Sequence, residues 1–376
     1  MKVLILGDLY LGDAFKVSNS SLEVQLEPVK ALTAKADLSI VNLEAPLTTH
    51  DEPISKTGPV LKNHPNTAVW MKNSGFDIVT LANNHILDFG EKGIRDTFQV
   101  LDQSDIAYVG AGATFSLAER PKYIQRNGLK LAVINIAENE WSTTHGNVHG
   151  ANPVDPVSNY NVIKAAKSQA DFVLVIHHGG HEMYSYPSPR LKRLLRFYVD
   201  TGASAVINHH PHCISGYEVY QDAPIFYSIG NFLFPSLSTN NSIWHEGMGV
   251  YLTFNKRGKV SFEFFLFNQF IDNLIFEVLV EDLSNARLKA LSEQNEVIQN
   301  DRLLQVFFEQ WVKKHTKQYS AYLEPHPNRY LQALQNRKWI PSLWSARKKK
   351  LLLNLIRCES HRDILIALLS KQKEKN

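Results

Sequence analysis

The chain has 376 residues, of which 44% are hydrophobic and 20% are charged, a composition that excludes wholesale disorder. Its formal net charge of +3 is too small a basic excess to indicate nucleic acid as a partner. The two cysteines, Cys213 and Cys358, are far apart, which excludes a disulfide framework and favours a reducing compartment. The first apolar run is too short for a signal peptide, and no stretch approaches the ~18 apolar residues of a spanning helix. We therefore expect a cytoplasmic protein.

Two carboxylates follow the first two predicted strands. The apolar residues 2–6 predict a buried strand that ends before Asp8. After a helical pattern around 21–36, residues 37–41 predict a second strand that ends shortly before Glu44. Parallel strands place their carboxyl ends at one edge of an α/β sheet, where ligands bind, so both residues are candidate metal ligands. A turn or capping aspartate and a solvated loop glutamate are the alternatives.

A third strand leads into a group of polar residues. Residues 78–82 predict a buried strand, which Asn84, His85 and Asp88 follow before a helix over 93–101. An aspartate three residues after a histidine can pair with its second ring nitrogen, which orients the ring and raises its basicity. His85 is therefore a candidate proton donor held by Asp88.

Most of the remaining candidate ligands are histidines from one region. Six of the 15 histidines lie between residues 177 and 212. Residues 171–176 and 203–207 predict two buried parallel strands, joined by a helix over 187–202. A histidine group follows each strand, so both groups should lie at the same sheet edge. The candidates are His178, His209, His210 and His212.

Two polar loops are candidates for substrate contact. Residues 51–66 form an irregular loop in which Lys56 and Lys62 could meet an anion. Residues 138–153 form an Asn- and Gly-rich loop that is either substrate-facing or mobile. Because such loops carry specificity, composition does not identify the substrate.

The composition changes after about residue 270. Strand patterns at 249–255 and 260–267 precede the change, and from about residue 280 Leu, Gln, Lys, Arg and Glu recur at helical spacing. This predicts a large domain over residues 1–270 and a helical appendage over 271–376. The basic run 347–350, followed by leucines, indicates either a surface that contacts a membrane or a helix packed on its own domain.

The candidate ligands mix carboxylate, amide and imidazole groups. Imidazole and oxygen ligands together suit borderline divalent ions, so we expect one or two ions, Mn²⁺ first, with Zn²⁺ or Fe²⁺ as alternatives. Such ions polarise phosphoryl or carbonyl oxygens and lower the pKa of bound water towards ~7, and His85 would protonate the leaving group. The predicted metal ligands are Asp8, Glu44, Asn84, His178, His210 and His212.

Six short motifs occur in a specific order between residue 1 and about residue 270. They are Gly7-Asp8, Asn42-Leu43-Glu44-Ala45-Pro46-Leu47, Leu81-Ala82-Asn83-Asn84-His85, His178-Gly179-Gly180-His181-Glu182, Asn208-His209-His210-Pro211-His212 and Tyr227-Ser228-Ile229-Gly230-Asn231-Phe232. The ordered set resembles the CapA family of bacterial capsule and poly-γ-glutamate biosynthesis proteins, which is similar to the calcineurin-like metallophosphoesterases. The resemblance implies a four-layer α/β/β/α metallophosphoesterase-like sandwich with a metal centre at the strand ends.

The resemblance assigns roles to the carboxylates and to the Asn-His pair. Asp8 matches the first-strand aspartate of the phosphoesterases, and Glu44 stands where they have a bridging aspartate. Asn84 and His85 match their Asn-His pair. The phosphoesterase pattern has a histidine two residues after the first aspartate, but this chain has Tyr10 there, and this departure bears on whether two ions bind.

The other residues that the resemblance implies are histidines. His178 matches the isolated ligand, and His210 and His212 match a final His-x-His pair. Either His209 or His210 could be the ligand at that point. We take His210 as the ligand and His209 as a catalytic residue.

These features support three function hypotheses. The first is a metal-dependent hydrolase that acts on a phosphoester, or on a bond in a precursor of a capsule or cell-envelope polymer. The second is a non-catalytic polymer-binding component of capsule assembly that retains the metal pocket. The third is an amide hydrolase that uses the same metal chemistry on a polyglutamate-like substrate.

Overall fold

The computed structural model describes residues 1–12, 26–235, 242–270, 275–279, 281–323 and 345–370, and the single positions 334, 337 and 339. The strands within them are β1 (Lys2–Leu9), β2 (Leu38–Leu43), β3 (Ile78–Thr80), β4 (Ala107–Val109), β5 (Ala111–Gly112), β6 (Lys122–Arg126), β7 (Leu129–Ala137), β8 (Gly150–Ala151), β9 (Phe172–His178), β10 (Ala205–His209), β11 (Tyr217–Tyr220), β12 (Ala223–Phe226), β13 (Asn231–Leu233), β14 (Glu246–Phe254), β15 (Val260–Phe270) and β16 (Ile275–Val278). The helices are α1 (Leu26–Thr33), α2 (Asn66–Asn73), α3 (Gly90–Gln103), α4 (Phe115–Ala118), α5 (Pro156–Gln169), α6 (Pro189–Thr201), α7 (Glu281–Gln299), α8 (Asp301–Leu323), α9 (Ala346–Arg357) and α10 (Glu359–Ser370).

Most of the strands belong to two sheets. The first has the order β16-β15-β14-β1-β2-β3-β4, with β13 also paired to β1, and the second has the order β11-β12-β10-β9-β7-β6. Strands β1, β2 and β3 are parallel to one another, as are β7, β9 and β10. The carboxyl ends of the central strands therefore lie at one edge of each sheet.

Three apolar clusters divide this fold into four layers. The first cluster fills the space between the sheets, where Val3 of β1 and Ile40 of β2 lie with Ile176 of β9. The second joins the outer face of the first sheet to α1, α2 and α3, and the third joins the outer face of the second sheet to α5 and α6. Side chains of successive strand residues point to opposite faces of the sheet, so an apolar strand contributes to both an inner and an outer cluster. The expected α/β/β/α sandwich is confirmed.

Helix α6 has clear sequence signals at both ends. The Ser188 side chain accepts a hydrogen bond from the backbone N–H of Leu191, and Pro189 occupies the first turn, where no N–H is needed. Gly202 ends the helix with a φ of 132°, which a residue with a Cβ rarely adopts. The helix therefore connects β9 to β10 and brings their histidine groups to the same edge.

Helices α1 and α5 depart from the sequence prediction. Helix α1 begins at Leu26, and residues 21–25 of the predicted helix lie outside the described residues. Helix α5 is absent from the sequence prediction. Its buried apolar residues are few, chiefly Ile163 and Ala166, so its helical periodicity is weak. Packing on the second sheet determines this helix.

The helices expected after residue 280 pack directly on the sandwich. Lys192 of α6 pairs with Asp301 of α8 at 2.6 Å. Arg190, also on α6, pairs with Glu138 and with Asp363 of α10, and its Nε lies 2.7 Å from the Asp363 Oδ2. The division of the chain at residue 270 stays a prediction. In the described part of the chain, no helix combines the length and the apolar character needed to cross a membrane.

Helix α9 uses part of its apolar surface within the chain. Leu355 is buried, and Leu351 and Leu352 pack against the core formed by α8 and α10. Leu353 and Ile356 are exposed. These contacts favour the alternative of a helix packed on its own domain, and membrane contact through this basic helix stays a prediction.

Gly7→Ala is expected to destabilise the protein. A Cβ at Gly7 would overlap the backbone carbonyl of Gly230, so β1 would have to move away from the segment that leads into β13. We expect the free energy of unfolding to fall by about 1–3 kcal/mol, measured by denaturant titration. Gly146→Ala is the matched control, because an added Cβ there meets open space. Equal stability of the two variants would contradict the close approach.

Candidate metal centre

The carboxyl ends of four strands converge on one buried group of side chains. Asp8 lies near the end of β1 and Glu44 directly follows β2, whereas His178 ends β9 and His209 ends β10. All four residues are buried, and both carboxylates are fully inaccessible to solvent. The site is therefore built from both sheets.

Two groups of possible ligand atoms share Glu44. Atoms of Asp8, Glu44 and His178 lie within 4.8 Å of one another, and so do atoms of Glu44, His210 and His212. The Nδ1 of His178 is 3.9 Å from the Oδ1 of Asp8. The Nε2 of His212 is 3.8 Å from the Oε1 of Glu44. Glu44 thus stands between two candidate sites, as a bridging carboxylate does.

The Glu44 carboxylate lacks the hydrogen bonds that a buried charge requires. Neither of its oxygens has a hydrogen-bond partner among the described residues. Burial, and after it the charge of Asp8, raises the pKa of Glu44 well above its usual value. A cation between the two ligand groups would compensate this charge. The residues present therefore fit a divalent ion that takes oxygen and imidazole ligands.

Two asparagines contact the first ligand group. The Oδ1 of Asn84 lies 3.1 Å from the Nε2 of His178, so the structure brings this predicted ligand to the centre. Asn42, which the sequence prediction omits, donates from Nδ2 to the Asp8 Oδ1 at 2.7 Å. Such a hydrogen bond orients a ligand. The sequence signal that could have identified Asn42 is its position in the same motif as Glu44.

Asn231 has a comparable role in the second ligand group. Its Oδ1 lies 2.8 Å from the Nδ1 of His212. A proton on that Nδ1 leaves the Nε2 lone pair available to a metal. Asn231 pairs with Asp8 across β13 and β1, and the sequence prediction includes it only as part of a motif.

His209 and His210 both lie at the centre, in different positions. The Nδ1 of His210 is 3.2 Å from the Nε2 of His178, and of the two histidines His210 belongs to a ligand group. The Nδ1 of His209 is 3.8 Å from the Oδ1 of Asp8. Within the described residues, neither ring nitrogen of His209 has a hydrogen-bond partner, and burial lowers its pKa.

The backbone is strained where it presents these ligands. His210 and His212 have φ angles of 94° and 54°, and Ala45, which follows Glu44, has a φ of 94°. Residues with a Cβ seldom adopt such angles. The Asp8 Oδ2 accepts a hydrogen bond of 3.2 Å from the backbone N–H of His210, which helps to hold the turn. Strain of this kind is found preferentially at functional sites.

His85 belongs to a buried network beside the ligand groups. Its Nδ1 is 2.6 Å from the Oδ2 of Asp88, and its Nε2 is 3.9 Å from the Oε1 of Glu44. Lys56 reaches this network from the loop 51–66, pairs with Asp88, and places its Nζ 3.2 Å from the Nδ1 of His85. Burial lowers the pKa of His85, the Asp88 hydrogen bond opposes that effect, and the Lys56 charge adds to it.

The profile of the family described as bacterial capsule synthesis protein PGA_cap matches residues 2–236. The chain belongs to this family. The matched segment contains every residue of the two ligand groups and of the His85 network. The family resemblance inferred from the six motifs is confirmed.

Two curated relatives have capsule or PGA names. Capsule biosynthesis protein CapA of Bacillus anthracis is 30% identical over 245 residues, which cover 62% of this chain and 60% of that protein. PGA biosynthesis protein CapA of Bacillus subtilis (strain 168) is 33% identical over 177 residues, which cover 46% of this chain and 47% of that protein. The match thus spans less than two thirds of the length of either relative.

Among solved structures, a hypothetical protein from Thermus thermophilus has a TM-score of 0.48 and 16% identity, covering 71% of this chain and 99% of that chain. Similarity at this level carries no functional argument. The α/β/β/α architecture of this PGA_cap family chain is established by its own sheets and apolar clusters.

Tyr10 occupies the position where the phosphoesterase pattern has a histidine. Its ring packs against Phe234 with the centroids 4.9 Å apart, and Phe234 packs in turn against His212 at 5.0 Å. Tyr10 therefore extends an aromatic wall beside His212. Both ligand groups are present without a histidine at this position.

Glu44→Gln is expected to stabilise the metal-free protein at neutral pH. The pKa of Glu44 is raised on folding, so the native protein holds a proton that the unfolded chain releases. The contribution of Glu44 to the free energy of unfolding is therefore most favourable below the usual carboxyl pKa of 4.5. It falls as the pH rises towards the pKa of Glu44 in the folded protein. Glutamine stays neutral, so we expect a gain on the order of 1 kcal/mol near pH 7.

Thermal unfolding of chelator-treated wild type and Glu44→Gln between about pH 4 and pH 8 measures this gain. Glu91→Gln, at an exposed position of α3, is the control and should follow the wild type. If Glu44→Gln also followed the wild type at every pH, the uncompensated carboxylate would be ruled out.

Lys56→Met is expected to raise the pKa of His85. The Lys56 charge lowers this pKa, whereas the Asp88 hydrogen bond that raises it remains in the variant. An NMR titration of the His85 ring protons measures the shift. Lys62→Met is the control, since Lys62 pairs with Asp51 instead. A lower or unchanged pKa in Lys56→Met would contradict the described network.

Proposed function

We propose that this chain is a metal-dependent hydrolase of the phosphoesterase type. The observation that carries the proposal is the fully buried Glu44 carboxylate, shared by two groups of ligand atoms and without a hydrogen-bond partner among the described residues. A purely structural carboxylate would be paired or solvated. A buried carboxylate between imidazoles is suited to binding cations.

Six residues would hold the metal. A divalent ion would supply a Lewis acid for a phosphoryl oxygen and would lower the pKa of a water molecule. Two ligand groups allow two ions, and the mixture of oxygen and imidazole donors supports Mn²⁺, with Zn²⁺ or Fe²⁺ as alternatives. The proposed ligands are Asp8, Glu44, Asn84, His178, His210 and His212.

The residues beside the ligands would move protons and hold charge. His85 would give a proton to the leaving group, with Asp88 orienting its ring through Nδ1 so that Nε2 faces the centre. Lys56 would stabilise negative charge on the substrate, because its ammonium group reaches the same network. His209 would hold a water molecule or a proton near Asp8, since both of its ring nitrogens are buried without described partners.

The biological setting that we propose is the biosynthesis of a capsule or another surface polymer. Membership of the PGA_cap family and the names of the two Bacillus relatives support this role. The substrate would be a polymer of the cell envelope or a precursor of one. The two buried free cysteines are compatible with the proposed cytoplasmic location.

His212→Ala is expected to lose metal and activity together, because it removes one of three residues in a ligand group. His85→Ala should keep its metal and lose about 10²–10⁴-fold in turnover, because it lacks the proton donor. Plasma mass spectrometry gives the metal content, and hydrolysis of bis-p-nitrophenyl phosphate and p-nitrophenyl phosphate with Mn²⁺ gives the activity.

His145→Ala is the matched control, because His145 is exposed in the loop 138–153 and belongs to neither ligand group. It should keep both metal and activity. Undiminished hydrolysis by a metal-free His212→Ala protein would sink the proposal. Bound metal without turnover of either ester in the wild type would favour the polymer-binding alternative.

A further inference from the structure

A cavity of about 410 Å³ opens from the metal centre towards the C-terminal helices. Its floor includes four residues of the centre and the loop beside it, Asn84, His85, Glu182 and His210. Its opposite side, which we call the helical roof, consists of residues from α8, α9 and α10. The roof residues that matter here are Trp311, His315, Tyr319, Leu351, Leu355 and His361.

Buried charge anchors the helical roof to the sandwich. Glu138, directly after β7, pairs with Arg190 and accepts a hydrogen bond from the Ser360 hydroxyl at the start of α10. The Asp363 carboxylate of α10 accepts hydrogen bonds from Arg190 at 2.7 Å and from the Ser188 hydroxyl at 3.1 Å. Ion pairs with this many hydrogen bonds are geometrically specific. The roof therefore has a defined position over the cavity.

Aromatic packing joins the roof to the loop that follows the candidate metal ligand His178 at the end of β9. His181 of this loop stacks on Phe308 of α8, with centroids 5.7 Å apart. Tyr184 packs against Trp311 at 4.7 Å and belongs to the same apolar core as α8, α9 and α10. One loop thus supports both the floor and the roof of the cavity.

The two ends of the cavity differ in chemistry. The floor contains ionisable groups and the metal centre. The roof presents rings, in which Trp311 lies 3.9 Å from His315 and Tyr319 lies 6.0 Å from His361 between centroids. Aromatic rings pack favourably against other rings, by face or by edge. A ligand that spans the cavity therefore combines an anionic group at one end with a ring at the other.

We propose that the helical roof selects a ring-bearing anionic ester, either a small molecule or the end unit of a chain, by packing its organic group against the aromatic side chains of the roof, Trp311 among them. This proposal rests on the proposed function, since it places the ester at the metal centre. The cavity volume of about 410 Å³ falls in the range of small-molecule sites, ~300–1,000 Å³, so it fits a ligand of that size. The roof lies outside residues 2–236, which match the family, so specificity is set by a part of the chain that the family profile does not include.

Titration calorimetry of the Mn²⁺-loaded protein with two phosphonates tests the proposal without turnover. Phenylphosphonate and methylphosphonate share the anionic group and differ in the ring. The wild type should bind phenylphosphonate about 10-fold more tightly, within the range that a stacked ring contributes. Trp311→Leu should reduce this ratio to near one while leaving the methylphosphonate affinity unchanged, and Trp311→Phe should retain most of it.

Two further variants separate stacking from a general loss of structure. Leu351→Ala removes a roof side chain and should lower the phenylphosphonate affinity, whereas Leu353→Ala, at an exposed position of the same helix, should not. Equal affinity of the wild type for the two phosphonates overturns the proposal. So does an affinity ratio that is unchanged in Trp311→Leu, and so does failure of both phosphonates to bind. Chelator-sensitive hydrolysis of p-nitrophenyl phosphate, measured in parallel, shows whether the proposed hydrolase function falls as well.

Discussion

A carboxylate buried without hydrogen bonds is the constraint on which the site depends. Glu44 is fully inaccessible and has no hydrogen-bond partner among the described residues, so the protein alone leaves its charge uncompensated. Burial and the neighbouring Asp8 charge raise its pKa, which means that the metal-free site resists ionisation. A cation would offset this electrostatic penalty, so the arrangement supports the proposed metal centre.

Holding such a group in place requires a rigid scaffold. Two sheets contribute candidate ligands to one site, and the interior between them is packed with apolar side chains. Turns with positive φ at His210 and His212 would relax if they were free, but the Asp8 carboxylate and the Asn231 amide bind them. The stability of the sandwich therefore maintains strained ligand geometry at its edge.

The C-terminal helices belong to the site as well as to the surface of the fold. Burial acts to raise the pKa of Glu138, but Arg190 and the associated hydrogen bonds lower it to about 2. The anchor of the helical roof thus stays ionised throughout the neutral range. Ser360, which donates a hydrogen bond to Glu138, and Asp363, which pairs with Arg190, both lie on α10. The wall of the cavity therefore depends on contacts between residues far apart in the chain.

From the sequence alone, most of the buried strands, several helices and the types of polar residue at the strand ends could be predicted. Alternating and continuous apolar runs predict buried strands because these patterns act over a few residues, and polar residues at the strand ends follow from the same local pattern. The parallel order then predicted Asp8 and Glu44 at one sheet edge, as the structure has them, whereas His178 reaches the same site from the second sheet. Helix α5 was beyond this reasoning because few of its apolar residues are buried.

Which atoms meet at the site depends on packing between distant parts of the chain. The sharing of Glu44 by two ligand groups, the support of Asp8 by Asn42 and the approach of Lys56 to His85 all depend on how two sheets and a loop pack. The sequence indicated helices after residue 280, but not that they roof the cavity. Local periodicity determines an element, whereas distances between residues hundreds of positions apart arise from packing and buried charge, which short-range patterns do not encode.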